Sequence, residues 1–269
     1  MKNLIKLLAI PAIALVMTSC DDVKEDDRYI DMGKLTPQRT VLLEEFTGQG
    51  CTNCPQGHKI ASDLKARYGA NFIPVSIHAS SLATPEASGT PDYPGLSNSE
   101  GEALYSAAGR PALPAGVIDR RTAALDRSEW ATNIIQDIRL TAPLKLTAAV
   151  TYDAATETFN VKVDAGDVAE AVNGKLSVWM LQSNIKSLQL NGGNYELDYI
   201  HNHVFRGSLN TVSGETFSVA PGETFAKTYS IKMKPTWKVT GWKATDFSVV
   251  AFVEAGGSVI EANEGHVTE

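Results

Sequence analysis

The chain has 269 residues, which is long enough for two domains of ordinary size. Hydrophobic residues make up 43% of it and charged residues 20%, as in a typical globular protein. The 24 basic residues against 31 acidic ones give a net charge of −7, which argues against electrostatic binding to nucleic acid or to an anionic membrane surface. We therefore expect no nucleic-acid partner.

The first nineteen residues have the pattern of an export signal. Lys2 and Lys6 precede an apolar run at 7–17, and small residues then lead to Cys20. This run is too short for a permanent membrane-spanning helix, so we predict a signal peptide over residues 1–19. The cysteine that follows resembles the lipobox of bacterial lipoproteins, in which cleavage frees the cysteine and lipid is attached to it. We predict lipid on Cys20; the alternative is an ordinary secretory signal with a chance cysteine.

An acidic segment follows Cys20. Because the signal peptide contains two lysines and no acidic residue, its removal changes the net charge from −7 to −9. We predict that residues 20–36 form a solvated, lipid-anchored tether. The acidic run 21–27 resembles the surface-export signal of Bacteroidota lipoproteins, and a plain spacer is the alternative interpretation.

The first folded segments alternate between strand and helix patterns. The apolar run Val41–Phe46 predicts a buried strand, and helical periodicity follows from Thr52 to Gly69. Phe72–His78 predicts the next strand. A right-handed crossover between these two strands would make them parallel.

The motif Cys51-Thr52-Asn53-Cys54 lies where the first strand leads into the helix. Unpaired backbone N–H groups and the helix dipole at this position stabilise a thiolate, which is the attacking species in thiol–disulfide exchange. We predict that Cys51 attacks and that Cys54, one turn further in, resolves the mixed disulfide. A bridge across so short a loop removes little chain entropy, which disfavours a purely structural role.

Two alternatives remain for the cysteine pair. Together with His58 it could bind copper or zinc, or it could be an inert, permanently oxidised disulfide. Haem attachment is excluded because Pro55, and not a histidine, follows the second cysteine. We predict no cofactor.

The remainder of the first half continues the alternation. Residues 79–100 read as an exposed loop, Glu100–Ala108 as a short helix, and Glu129–Leu140 as a helix capped by Ser128. Pro114 directly enters the strand Ala115–Asp119, where thioredoxin-like proteins carry a cis-proline facing the redox cysteines. We therefore prefer Pro114 to Pro111 as a cis-proline, and we predict a thioredoxin-like α/β domain over residues 37–142.

The pattern changes at residue 143. Turn signals such as Asn191-Gly192-Gly193 separate seven short runs rich in β-branched and aromatic residues. We predict an antiparallel β-sandwich (Ig-like) domain over residues 143–269. Its expected strands are Lys145–Tyr152, Thr158–Val163, Lys175–Gln182, Val204–Leu209, Phe225–Met233, Phe247–Val253 and Val259–Asn263.

These motifs resemble the outer membrane protein 28 family, thioredoxin-like lipoproteins of Bacteroidota. The resemblance covers nearly the whole mature chain and depends on four segments: Leu43–Gly48, Cys51–Pro55 with His58 following, Leu113–Arg120 and Tyr199–Arg206. It implies a lipid-anchored location at the outer membrane, on the periplasmic face or the cell surface.

The wider thioredoxin superfamily implies roles for two more residues. An acid six residues before the first cysteine often relays a proton to the second cysteine, and Glu45 occupies that position. Glu44 and Glu45 point to opposite faces of the strand, so we expect only one of them to be buried. Pro114 would shape the substrate groove.

His201 and His203 lie two residues apart, so on a strand both would face one side and could chelate a metal. Hydrogen-bonded structural histidines are the alternative. We predict an exported lipoprotein that exchanges disulfides with the protein thiols or disulfides of exported proteins and reaches the membrane through Cys20. The alternatives are a non-enzymatic surface binding or adhesion protein, and a copper- or zinc-binding protein.

Overall fold

A computed structural model of the protein describes residues 38–268. The predicted signal peptide, Cys20 and the predicted tether lie outside these residues. The described residues belong to one compact unit that is rich in β-strands. None of the helices within residues 38–268 has the length and apolar character needed to cross a membrane.

The first half alternates strands and helices in the predicted order. Its elements are β1 (Val41–Thr47), α1 (Cys54–Tyr68), β2 (Phe72–His78), α2 (Ser99–Ala107), β3 (Ala115–Ile118), β4 (Leu125–Asp126) and α3 (Arg127–Asp137). As predicted, β1 and β2 are parallel; β3 pairs antiparallel with the other edge of β1. Asp126, and not the predicted Ser128, caps α3: its carboxylate accepts a hydrogen bond from the Ser128 backbone N–H at 3.0 Å.

The second half contains the seven predicted strands and three more. Its elements are β5 (Lys145–Asp153), β6 (Thr158–Gly166), β7 (Val172–Gln182), β8 (Ile185–Asn191), β9 (Asn194–His201), β10 (Val204–Ser208), β11 (Glu215–Val219), β12 (Phe225–Lys232), β13 (Phe247–Ala255) and β14 (Ser258–His266). The sequence did not predict β8, β9 or β11 as strands, nor β4 in the first half. All strand pairs within the second half are antiparallel.

A single nine-stranded sheet contains strands from both halves. Its order is β14-β13-β7-β10-β2-β1-β3-β4, and β11 also pairs with β7. The two halves meet where β10 lies parallel to β2, with Val204 opposite Ser76. The sequence predicts two separate domains divided at residue 143; the structure differs because the main sheet continues across that division.

The strands β7 and β13 explain this difference, because both of their faces are buried. In β7, Leu176, Val178 and Met180 pack with β5, β6 and β12, which form a three-stranded sheet opposite them. A three-stranded antiparallel sheet therefore packs face to face against the main sheet, which is mixed because β2 lies parallel to both β1 and β10. The predicted packing of two sheets is present, but one of them is the mixed main sheet and not a separate antiparallel sheet. The alternate residues Trp179 and Leu181 pack instead with the core of the first half. The uninterrupted apolar run of β7 is therefore typical of a strand covered on both sides.

Candidate functional site

The two cysteines form a disulfide where the loop after β1 enters α1. Cys54 is the first residue of α1, Pro55 follows it, and the Cα atoms of Cys51 and Cys54 are 5.4 Å apart. Cys54 is fully buried and Cys51 is 4% exposed. The predicted strand-to-helix junction is therefore present, and the pair is in its oxidised form.

Glu45 lies beneath the first turns of α1. A Cβ atom built on Gly57, three residues after Cys54, would be 2.8 Å from Glu45 Oε1. Glu45 is 1% exposed; Ser76 Oγ donates a weak 3.5 Å hydrogen bond to its Oε2, whereas its Oε1 has no hydrogen-bond partner within the described residues. Burial raises the pKa of Glu45 to about 8, so this carboxyl is protonated at neutral pH.

Pro114 packs against the same point of the helix. Its Cβ atom would be 3.2 Å from a Cβ atom on Gly57, and the Leu113–Pro114 peptide bond is cis. The predicted isomer is thus confirmed. Glu45 and Pro114 therefore both lie against the turn of α1 that follows Cys54.

The expectation that only one of Glu44 and Glu45 is buried is wrong. Glu44, on the opposite face of β1, is 5% exposed. Both faces of β1 are covered, and the Arg120 guanidinium donates two hydrogen bonds, of 2.9 and 2.7 Å, to Glu44 Oε1. A paired charge can be buried at far lower cost than an isolated one, which is why Glu44 has a cation beside it.

The hairpin β8–β9 from the second half encloses the cysteine loop. Gln189 Nε2 donates to the carbonyl oxygens of Gly48 and Cys51 at 3.2 and 3.0 Å. At the hairpin turn, the Gly193 N–H donates to Thr52 Oγ1 at 3.2 Å. This hairpin is not among the predicted strands, although a Gly-Gly turn flanked by runs of alternating residues is a known hairpin signal.

His58 connects the hairpin to the start of the helix. Its two ring nitrogens make hydrogen bonds of 2.8 Å to Thr47 Oγ1 and to Tyr199 Oη. Burial lowers the pKa of His58 to about 4, so the ring is neutral at physiological pH. Its Nε2 is also 3.9 Å from Glu45 Oε1.

A cavity of about 500 Å³ opens beside these groups and is lined by Glu45, His58, His78, Tyr199 and His201, among others. Several buried polar atoms around it have no hydrogen-bond partner within residues 38–268: Glu45 Oε1, both ring nitrogens of His78, and His201 Nδ1. Burial lowers the pKa of His201 to about 3 and that of His78 well below its usual range. The carboxyl and histidine groups of the cavity wall are therefore neutral hydrogen-bonding groups, and Lys59 and Lys65 also line the cavity.

The structure does not bring together the predicted metal ligands. Cys51 and Cys54 are bonded to each other, and both ring nitrogens of His58 are engaged. Within residues 38–268, no group of three histidine, cysteine or acidic side chains is arranged to hold a metal ion.

The predicted His201 and His203 pair is also not formed. His201 ends β9, whereas His203 lies beyond the strand with a backbone φ of 52° and its Nε2 is 3.5 Å from Glu264 Oε1. The two rings therefore do not share one face of a strand.

Fold and site together define a β-rich protein with a buried Cys-x-x-Cys disulfide at the start of a helix, an acid beneath that helix and a hairpin over the cysteine loop. The chain belongs to the family described as outer membrane protein Omp28, which matches residues 101–269. This membership confirms the predicted resemblance and the outer-membrane location. The matched region contains Pro114 and the hairpin and begins after the cysteines. No curated protein matches the chain.

Among solved structures, the chain is similar to HBP35 of Porphyromonas gingivalis, with a TM-score of 0.62, 18% identity, and coverage of 87% of this chain and 77% of that chain. This similarity concerns the fold. A protein of Agrobacterium tumefaciens matches with a TM-score of 0.47 and 13% identity over 86% of this chain and 95% of its own. A domain of the outer membrane lipoprotein Omp28 from Porphyromonas gingivalis matches with a TM-score of 0.32 and 20% identity, over 47% of this chain and 89% of that chain.

Proposed function

We propose that the chain is a lipoprotein of the outer membrane whose first half, residues 37–142, is thioredoxin-like and exchanges disulfides with exported proteins. The observation that carries the proposal is the position of Glu45 beneath the helix that begins at Cys54. A buried carboxyl with an unpartnered oxygen destabilises a fold. An acid of strongly raised pKa beneath the helix turn that follows Cys54 is the arrangement expected at a site of proton transfer.

The first step starts from the oxidised pair. A client thiolate attacks the sulfur of Cys51, the bond between Cys51 and Cys54 breaks, and a mixed disulfide joins the client to Cys51. Cys54 leaves as a thiolate. Glu45, protonated at neutral pH, supplies the proton that neutralises it.

The second step completes the exchange. The client's other thiolate attacks the client sulfur of the mixed disulfide, which forms the client disulfide and releases Cys51 as a thiolate. Two electrons have then passed from the client to the cysteine pair. In the reverse direction Cys51 attacks a client disulfide, Glu45 in its ionised form takes the proton of Cys54, and Cys54 resolves the mixed disulfide.

The clients in this proposal are proteins that carry thiols or disulfides and have themselves been exported. Electrons pass between a client and this protein only through Cys51 and Cys54. Lipid on Cys20 would hold the site at the membrane where such clients arrive.

Trapping of intermediates tests the proposal. In cells that produce the protein, Cys54→Ser should accumulate mixed disulfides with clients on non-reducing gels, and Cys51→Ser should accumulate none. In the Cys54→Ser variant, the alkylation rate of Cys51 as a function of pH should give a thiol pKa below the free-cysteine value of about 8.5. If no client is trapped and each cysteine titrates like a free thiol, the oxidoreductase proposal fails and a non-enzymatic binding role replaces it.

A further inference from the structure

Large apolar side chains on the surface are concentrated around the cysteine loop. Within the described residues, six such side chains are exposed. Five of them lie on segments that contact the loop at residues 48–53, and only Leu140 lies elsewhere. The five are Leu82, Tyr93, Tyr195, Leu197 and Ile200, and we call them the apolar rim.

Backbone contacts locate the rim next to the disulfide. The Leu82 carbonyl accepts a 2.7 Å hydrogen bond from the Gly50 N–H. Tyr93 adjoins Pro94, whose carbonyl accepts a hydrogen bond from Gln49 Nε2 at 3.1 Å. The other three residues of the rim belong to β9, whose hairpin turn contacts Thr52. Exposed apolar side chains concentrated on segments that contact the cysteine loop indicate an interaction surface there.

The strand β9 also has a free edge. Among the described strands it pairs only with β8, in a two-stranded sheet. Tyr195 and Leu197 are 59% and 52% exposed. The register of β9 with β8 shifts between Ser187 and Gln189, so Tyr195, opposite Leu190, lies on the outer face of the hairpin. Tyr199, opposite Ser187, lies on the inner face and contacts His58. A strand edge presents a row of backbone donors and acceptors that another extended chain can pair with.

We propose that the free edge of β9 and the apolar rim dock an extended segment of the client polypeptide, which adds as a strand and brings its cysteine to Cys51. This docking role rests on the proposed function and describes how the protein holds its client. An extended polypeptide is the occupant because it can pair with the backbone groups of the strand edge and also contact the apolar side chains. A lipid could contact only the apolar side chains, and a small thiol could do neither.

The experiment compares two reductants of the Cys51–Cys54 disulfide in the full-length protein. One is a peptide of about ten residues with alternating valine and threonine and two cysteines, a sequence that favours extended structure. The other is dithiothreitol, which cannot pair with a strand edge. The readout is the second-order rate constant for the peptide divided by that for dithiothreitol. It is measured in wild type, in Tyr195→Ser/Leu197→Ser, and in Leu140→Ser as the matched control.

We expect the double variant to lower the ratio about tenfold, because two apolar anchors are lost. Leu140→Ser should keep the wild-type ratio. A serine version of the peptide, labelled with fluorescein, should bind wild type more tightly than the double variant, which tests docking without chemistry.

Three results would overturn the docking role. An unchanged ratio in the double variant would refute it and leave the proposed function in place. A wild-type dimer that the double variant dissociates would show that a second copy of the chain occupies the edge. Failure of wild type to react with either reductant would remove the proposed function, and the docking role with it.

Discussion

Tyr199 Oη and His58 Nδ1 are 2.8 Å apart, and this hydrogen bond joins β9 in the second half of the chain to α1 in the first. Thr47 Oγ1 bonds the other ring nitrogen at the same distance. A neutral imidazole has one donor and one acceptor nitrogen, so these two hydroxyls satisfy it completely. The hairpin is thereby attached to the helix that begins at Cys54.

Replacing Tyr199 by phenylalanine should destabilise the protein. The change leaves a ring nitrogen of the partly buried His58 without its protein partner, which costs about 1 kcal/mol in the free energy of unfolding. Urea denaturation measures the loss. Tyr195→Phe, at an exposed position of the same strand, is the control and should be nearly neutral. Equal stabilities of the two variants would contradict the role of this hydrogen bond.

Glu45 should make stability depend on pH. The folded chain keeps the Glu45 proton up to a pKa of about 8, whereas the unfolded chain loses it near 4.5. The folded state therefore binds more protons between these values, and the free energy of unfolding falls as pH rises through that window. The contribution is fully present below pH 4.5 and is lost as pH passes the folded pKa.

Glu45→Gln should remove this dependence. Relative to wild type, the variant should gain roughly 3 kcal/mol between pH 5 and pH 8 in urea denaturation. Burial also raises the pKa of Asp119 to about 8, but that group is common to both proteins and cancels in the comparison. Glu170→Gln, at an exposed site, should follow wild type. A parallel pH profile for Glu45→Gln and wild type would show that the carboxyl ionises freely.

Gly57→Ala should destabilise the protein even though alanine is the better helix former. The new methyl group would lie 2.8 Å from Glu45 Oε1 and 3.2 Å from Pro114 Cβ. Overpacking of this kind costs about 1 to 3 kcal/mol, which exceeds the gain in helix propensity of about 1 kcal/mol. Ser62→Ala, on the exposed side of α1, gains propensity without a clash and should not destabilise. A Gly57→Ala protein more stable than wild type would mean that Glu45 can move away.

Gln189→Met should loosen the cysteine loop. Methionine fills a similar volume but donates no hydrogen bond to the carbonyls of Gly48 and Cys51. We expect faster reduction of the disulfide by dithiothreitol and a loss of about 1 kcal/mol in stability. Gln136→Met, at an exposed helix position, should change neither quantity. Reduction at the wild-type rate would show that the hairpin does not restrain the loop.

Features that depend on near neighbours in the chain can be predicted from the sequence. The period of the apolar residues predicts β1, α1 and β2, and the position of Cys51 and Cys54 between strand and helix follows directly. The seven strongly patterned strands of the second half are present for the same reason. Pro114 was found because its place before a strand is itself a local feature.

The way in which the two halves share one sheet and one site depends on contacts between distant parts of the chain. Local periodicity shows that a strand is apolar, but it does not show that Trp179 and Val178 face two different cores. Likewise, the burial of Glu44 depends on Arg120, 76 residues away, and the enclosure of Cys51 depends on Gln189, 138 residues away. Contacts at such separations form when the folded chain brings distant segments together, so they leave no periodic pattern in the sequence.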